Sequence, residues 1–439
     1  MTEPASGDSA VDRRVALARE WDELVAQVQK MEGFEDFLKP PKLRSLLPAA
    51  DHGPVVIVNV TDWRSDALIV RPDGATSLRL ESLTLHEATE WANGYLSVLR
   101  AAELVDLQHV QAHVPLPDAT PRSAARRQLA ASRELEKAHA RVDEMLRKLQ
   151  VWMWDVIAEP VLDALGFTCV PDGSTSTWPR VWWCPTGPLT LLPLHTAGHH
   201  RDLAGGRHAP RTVLDRVVSS YTPTLRALLE ARRDDGDREA TTEQDFDRLL
   251  IVDVPDLPGQ VPIDNSAERT ALFDAFPAGG RTVLGPDEAS HAGVRAALTD
   301  HRWVHFSCHG DQDLKDPSRG GLLLSEGKLT VTDISTGRYH GDFAGLSACK
   351  TAVGGTDLPD EAITLAAALH YAGYRHVIAA LWSVDNKASA EVFKYRTIAA
   401  DGRLEPDEAP AALHEVVRRM RDRQPDWPHR WTPFTHTGP

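Results

Sequence analysis

From Leu249 onward the chain alternates short apolar runs with helix-length segments, and a polypeptide patterned in this way has few folds open to it. Strands are expected at Leu249 to Val254, Arg281 to Leu284, Arg302 to Cys308, Phe343 to Ala348 and His376 to Leu381. Between and after them, helices are expected at Ala267 to Phe276, Glu288 to Leu298, Ala362 to Ala372, Asn386 to Ala399 and Ala409 to Arg423. A run of four to eight apolar residues bounded by turn residues reads as a strand buried on both faces, and strands alternating with helices predict a parallel sheet covered on both sides. Residues 247–439 should therefore form a doubly wound, mostly parallel α/β sheet with helices on both faces.

The preceding part is patterned differently. Residues 1–10 are small and polar and read as a disordered tail. Leu17, Trp21, Leu24, Val25 and Val28 then recur at helical spacing, and the helix they define must end before Pro40-Pro41. A hairpin is expected from Val55 to Val60 and Ala67 to Val70, then a helix from Glu87 to Val110 broken by Pro115 and Pro117. A charged helical stretch from Ser123 to about Ile157 and a strand at Val181 to Cys184 complete a mixed α+β half over residues 11–231. Residues 232–246 are rich in charge, with Gly236 in their middle, and read as a linker or mobile loop. No internal repeat is evident.

At 439 residues the chain exceeds the size at which one core usually stops growing, so two subdomains are expected. A net charge of −15 argues against direct nucleic-acid binding and against an anionic membrane surface, because both need a surplus of Lys and Arg. The 4 cysteines are too scattered for a disulfide framework, and no Cys-x-x-Cys metal spacing occurs. The N-terminus lacks a basic segment followed by an apolar one, and no uncharged stretch reaches the roughly 18 residues of a membrane span. These features predict a cytoplasmic protein.

Two of the expected strands stop on reactive side chains. Val304-His305-Phe306-Ser307-Cys308 runs into His309-Gly310, and Leu346-Ser347-Ala348 runs into Cys349. The chain between them is long enough for a crossover connection, so the strands can lie side by side with His309 and Cys349 at the carboxyl edge, where open α/β sheets collect their chemistry. An imidazole beside a thiol of ordinary pKa about 8.5 supplies the acid and base that a cysteine nucleophile needs. Cys308 lies inside its strand and reads as core, and it points to the opposite face from His309, so the two do not suit one metal ion. His195, His199, His200 and His208 form a rival metal-binding loop, although Gly198 and Gly205-Gly206 break the helical spacing such a site would use. Asp311 and Asp313 could orient the imidazole or stand as solvated loop charges.

With these residues in view, the chain resembles a CHAT domain, the caspase-like and separase-like peptidase family often found behind tetratricopeptide repeats. The resemblance rests on His309-Gly310 after a strand, Gly321-Leu322-Leu323-Leu324, Leu346-Ser347-Ala348-Cys349-Lys350-Thr351 and Ala379-Ala380-Leu381-Trp382-Ser383-Val384-Asp385. It continues through Trp431-Thr432-Pro433-Phe434-Thr435-His436-Thr437-Gly438, and upstream through Gly53 to Asn59 and Leu192-Pro193-Leu194-His195-Thr196-Ala197-Gly198. It implies a caspase-like fold preceded by a degenerate, pseudo-caspase half. It also implies an endopeptidase with a His309–Cys349 dyad, oxyanion donors at the backbone N–H groups of Gly310 and Cys349, and no cofactor. Trp382 and Asp385 would line the substrate cleft. The family often reads Trp-x-Val-x-Asp there, and this chain carries Asn386 at the last place, so Asp385 either selects Lys or Arg before the cleaved bond or caps the following helix. Lys350 stands where Glu is common. A cytoplasmic peptidase needs restraint, so the enzyme is expected to be latent, with Val353 to Glu361 rearranging when an activating protein or sensor binds, as in a bacterial defence or signalling pathway. Two other readings stand beside it: a catalytically inactive interaction module, and a metal-dependent hydrolase using the His195 to His208 loop.

Overall fold

The computed structural model describes residues 7–31, 37–115, 120–205, 210–233, 248–258, 260, 262–313, 316–347, 364–382, 386–393, 399–400 and 403–439. Met1–Pro48 and Ala49–Pro439 are two compact units. In the first, helix α1 spans Gly7–Val28, so it starts inside the segment expected to be a tail. Its Leu17, Trp21 and Leu24 are exposed.

Thirteen strands among the described residues of the second unit form one sheet. The earlier ones are β1 (Val55–Val60), β2 (Ser65–Arg71), β3 (Gly74–Arg79), β4 (Arg180–Pro185) and β5 (Val218–Tyr221). They are followed by β6 (Leu249–Val254), β7 (Arg281–Leu284), β8 (Trp303–Asp311), β9 (Gly321–Leu324), β10 (Gly327–Thr330), β11 (Phe343–Leu346), β12 (His376–Ala380) and β13 (Phe434–Thr437). The main helices are α2 (Leu85–His113), α3 (Pro121–Met153), α4 (Leu225–Arg232), α5 (Ser266–Ala275), α6 (His291–Asp300), α7 (Leu365–Tyr371), α8 (Asn386–Val392) and α9 (Ala409–Arg423).

In the C-terminal part, β7, β6, β8, β11 and β12 lie side by side in that order, all parallel. Alternate residues of each strand face opposite ways, as the pleat requires. Ile251, Trp303, Phe343 and Ile378 pack with Leu272 of α5, with Phe276 just after it and with Leu413 and Val417 of α9. On the other face, Leu250, Val252, Phe306 and Ala344 meet Val294 and Leu298 of α6 and Leu365 and Leu369 of α7. Each large apolar side chain so buried contributes about 1.5–3 kcal/mol. The expected doubly wound sheet with helices on both faces is what forms.

In the N-terminal part, β1, β2 and β3 are an antiparallel meander, and β1, β4 and β5 are parallel neighbours. The long helices α2 and α3 cover it through Tyr95, Leu96, Leu146, Leu149 and Met153, packed with Val56, Val58 and Trp183. Both begin at threonine caps: Thr84 accepts the Glu87 N–H, and Thr120 accepts the Ser123 N–H with Pro121 in the first turn. The β-strand β13 then joins the two parts, pairing antiparallel with β12 and parallel with β5. One continuous sheet therefore runs through both halves. The expected boundary at 232–246 falls almost wholly outside the described residues, with Arg232 ending α4. Among the described residues no helix is long and apolar enough to cross a membrane.

Candidate active site

The spatial order reverses between β6 and β8, because β7 lies on one side of β6 and β8 on the other. Such a switch point opens a crevice at the carboxyl ends of the strands, where ligands of open α/β sheets bind. β8 and β11 are direct parallel neighbours, with Phe306 opposite Leu346, and the Ser347 N–H donates to the Phe306 carbonyl at 3.0 Å. The strand expected to carry His309 and the strand leading toward Cys349 thus end at the same edge. Cys349 itself, the loop Val353 to Glu361 and Asp385 lie outside the described residues.

His309 and Gly310 were expected in a loop after a strand ending at Cys308. They are instead part of β8, which outruns β6 and β11 and pairs antiparallel with β9: His309 opposite Leu323, Gly310 opposite Leu322. The β9–β10 hairpin supplies the edge that makes this extension possible, and no local feature at Cys308 ends the strand. Asp311, on the same face as His309, is held by Lys328 of β10. Cys308 points the other way and is wholly buried among Leu322, Leu324 and Leu329.

Beneath the edge lies a polar network that the sequence did not announce. His305, Ser307 and His309 share one face of β8, and the first two are buried, His305 at 0% exposure. His305 Nε2 lies 2.9 Å from Glu268 Oε1. The other oxygen of Glu268 accepts hydrogen bonds from Ser347 Oγ at 2.5 Å and Ser389 Oγ at 2.8 Å. One layer nearer the edge, Asn265 Nδ2 donates to Asp253 Oδ1 at 2.7 Å and to Ser307 Oγ at 2.8 Å, and Arg269 closes on Asp253 at 2.8 Å. Burial pushes the Glu268 carboxyl up, but the hydrogen bonds and charge of His305 and the two serine hydroxyls outweigh it and leave the group below its ordinary value. The available signal was Asp253 inside the apolar run Leu249 to Val254, and polar residues at every second position of β8 from His305 to Asp311.

Trp382 turns inward. It is 4% exposed, packs edge-on against Tyr95 at 5.8 Å and donates its indole N–H to the His429 carbonyl at 3.2 Å. The ring anchors the chain after β12 in the core; contact with substrate would need it exposed. The histidine loop is equally committed. His195 Nδ1 lies 3.0 Å from the Tyr221 hydroxyl, His199 Nε2 lies 2.8 Å from Asp155, and His200 Nε2 lies 2.8 Å from the Thr196 carbonyl, while His208 is outside the described residues. Each ring has a separate partner, and among the described residues no three His, Cys, Asp or Glu side chains are grouped to hold a metal ion.

The family model that matches is that of the CHAT domain, over residues 146–439. No curated protein matches the sequence. Two crystal structures of the Saccharomyces cerevisiae separase–securin complex share the fold, one at TM-score 0.53 and the other at 0.52, each at 10% identity. Each match covers 90% of this chain but only 30% of the solved one. The chain therefore has the caspase-like α/β fold of separase and spans under a third of the matched chain.

Proposed function

Because the chain belongs to the CHAT domain family, we propose that it is a cysteine endopeptidase acting through His309 and Cys349. The observation that carries this reading is the parallel pairing of β8 with β11 beside the switch point, which brings the histidine strand and the chain leading toward the cysteine to one edge. In the proposed reaction the Cys349 thiolate attacks a peptide carbonyl and forms a carbon–sulfur bond. The N–H groups of Gly310 and Cys349 receive the oxyanion. The carbon–nitrogen bond then breaks, and His309 gives its proton to the leaving amine. Water attacks the thioester, its proton passes to His309, and the acid product leaves with the thiol restored. Asp385 supplies the specificity contact, and the Val353 to Glu361 loop keeps the protein latent until an activating partner binds.

The test is substitution with thiol mapping. Cys349→Ala and His309→Ala should abolish cleavage of a peptide library, and Cys308→Ala should keep most of it. Intact-mass measurement with iodoacetamide should find Cys349 labelled faster than the exposed Cys169. Fast labelling at Cys308 in its place would overturn the assignment.

A further inference from the structure

The Glu268 carboxylate meets three elements that all lead to the candidate site. His305 stands on β8, four residues before His309. Ser347 directly follows β11, two residues before Cys349. Ser389 sits on α8, four residues after Asp385. One side chain, 1% exposed, bonds to all three, and its partners are 37, 79 and 121 residues away along the chain. Resting on the peptidase reading above, we propose that Glu268 is a positioning residue of the dyad: it locks the histidine strand, the cysteine strand and the specificity segment to one another.

The physical argument is one of register. β8 and β11 are joined by evenly spaced backbone bonds that would be remade after a slip, and apolar side chains tolerate sliding better than directed bonds do. A carboxylate with four lone-pair positions can fix three donors at once only where all three elements are in place. A buried carboxylate that loses one donor is left paying its full desolvation cost, so partial disengagement is disfavoured and the three spokes hold or release together. Ser347 and Ser389 also stand Oγ to Oγ at 2.5 Å; each hydroxyl has one proton and gives it to Glu268, so it is the shared carboxylate that holds the two together. Arg269 and Asn265, at the start of the same helix α5, do the same one layer up, against Asp253 of β6 and Ser307 of β8. The start of α5 therefore acts as a splint along the polar face of β8, ending just short of His309.

Glu268→Gln keeps the volume and replaces an acceptor oxygen by a donor that the serine hydroxyls and His305 must reorganise to meet. The experiment compares Glu268→Gln, Glu268→Asp and Ser347→Ala with wild type and with Asp215→Asn. Asp215 is an equally buried carboxylate paired with Arg421 that shares no partner with Glu268, so its variant reports simple loss of stability. The readouts are the iodoacetamide rate at Cys349 from pH 6 to 9, the kcat on a cleaved peptide, and amide hydrogen exchange. A misplacement near 1 Å of reacting groups costs about 10²-fold in rate. Glu268→Gln should lower kcat on that order with little change in KM and shift the pH profile of Cys349 labelling, while the exposed Cys169 labels as before. Glu268→Asp should recover part of the loss, and Asp215→Asn should lower the melting temperature without moving the Cys349 profile.

A folded Glu268→Gln protein with wild-type kcat and labelling profile would overturn the proposal. If wild-type Cys349 labels no faster than Cys169 and no peptide is cut, the peptidase reading fails. Hydrogen exchange then still judges the splint: Glu268→Gln should raise exchange in 303–311, 343–347 and 386–392 together. Unchanged exchange in those segments would sink it.

Discussion

His376 of β12 and His436 of β13 face each other ring nitrogen to ring nitrogen, 3.1 Å apart, where the two halves of the sheet are joined. The pair continues in both directions. His376 Nε2 lies 3.0 Å from Asp407, and His436 Nδ1 lies 2.9 Å from the Ser220 hydroxyl, which in turn accepts from Arg180 at 2.7 Å. Two nitrogens at this distance share one proton between them, so both rings cannot be charged. Burial pushes His376 below its ordinary value despite Asp407, and pushes His436 further down. The closing segment of the chain is thus held by a polar relay through the sheet, which explains how a strand reading Phe-Thr-His-Thr can be buried along its length.

Breaking this relay should weaken the whole sheet. His436→Leu leaves His376 and Ser220 without their central partner, and an unsatisfied buried polar group costs about 1–3 kcal/mol. Urea unfolding should show a lower midpoint of that order. An unchanged midpoint would mean that the relay contributes nothing to the joint.

Acid should destabilise the fold well above the range where carboxylates titrate. Burial lowers His195, His200 and His370 to about 4 and His414 to about 3. Their unfolded forms take up protons near pH 6.5 while the folded forms do not. Stability is therefore full above pH 6.5 and falls as pH drops toward about 4, each ring adding up to about 1.4 kcal/mol per pH unit to the slope. Denaturation measured at pH 7 and pH 5 should differ by several kcal/mol, and His414→Gln should reduce the difference; equal stability at the two pH values would contradict it.

Gly438 should tolerate no side chain. Its φ is +132°, and a Cβ there would stand 2.1 Å from the Arg375 carbonyl oxygen. Its own carbonyl accepts the Trp182 indole N–H at 2.8 Å and its N–H donates to Tyr221 at 3.1 Å, so the backbone cannot retreat without losing both. Gly438→Ala is expected to cost at least about 1–3 kcal/mol. A thermal midpoint equal to wild type would show that the turn relaxes freely.

For specificity, Asp385 is expected to select Lys or Arg before the cleaved bond by a charge-assisted hydrogen bond. Asp385→Ala should remove that preference in a peptide library while other positions keep theirs. Cleavage after apolar or acidic residues, unchanged in the variant, would assign Asp385 to capping α8 instead.

The sequence by itself determined the elements whose causes are local. β6 and α9 occur over the spans that their apolar periods predict, and so does β7, because the pattern, the flanking turns and the buried faces all agree. Helix starts were misplaced by a few residues, since Thr84 and Thr120 cap upstream of the first apolar repeat. The proposed dyad rests on the same local reasoning, that a reactive residue directly after an apolar run reads as a strand-end position; His309 instead lies within β8, and Cys349 is outside the described residues.

Only the tertiary structure decided how the strands were ordered, where β8 ended and what lay beneath the edge. β5, β9, β10 and β13 are four-residue strands whose identity comes from a distant partner and not from composition, as when Thr437 meets Tyr221 across the joint. β8 runs past Cys308 because β9 offers a ladder to His309, a fact set by a hairpin further along the chain. Glu268 looks like any helix acid in sequence, and becomes a buried acceptor only because His305, Ser347 and Ser389 arrive from three other elements. Hydrophobic period reports which face a residue takes. It carries no information about which far residue satisfies a buried charge, and that pairing exists only once the chain is folded.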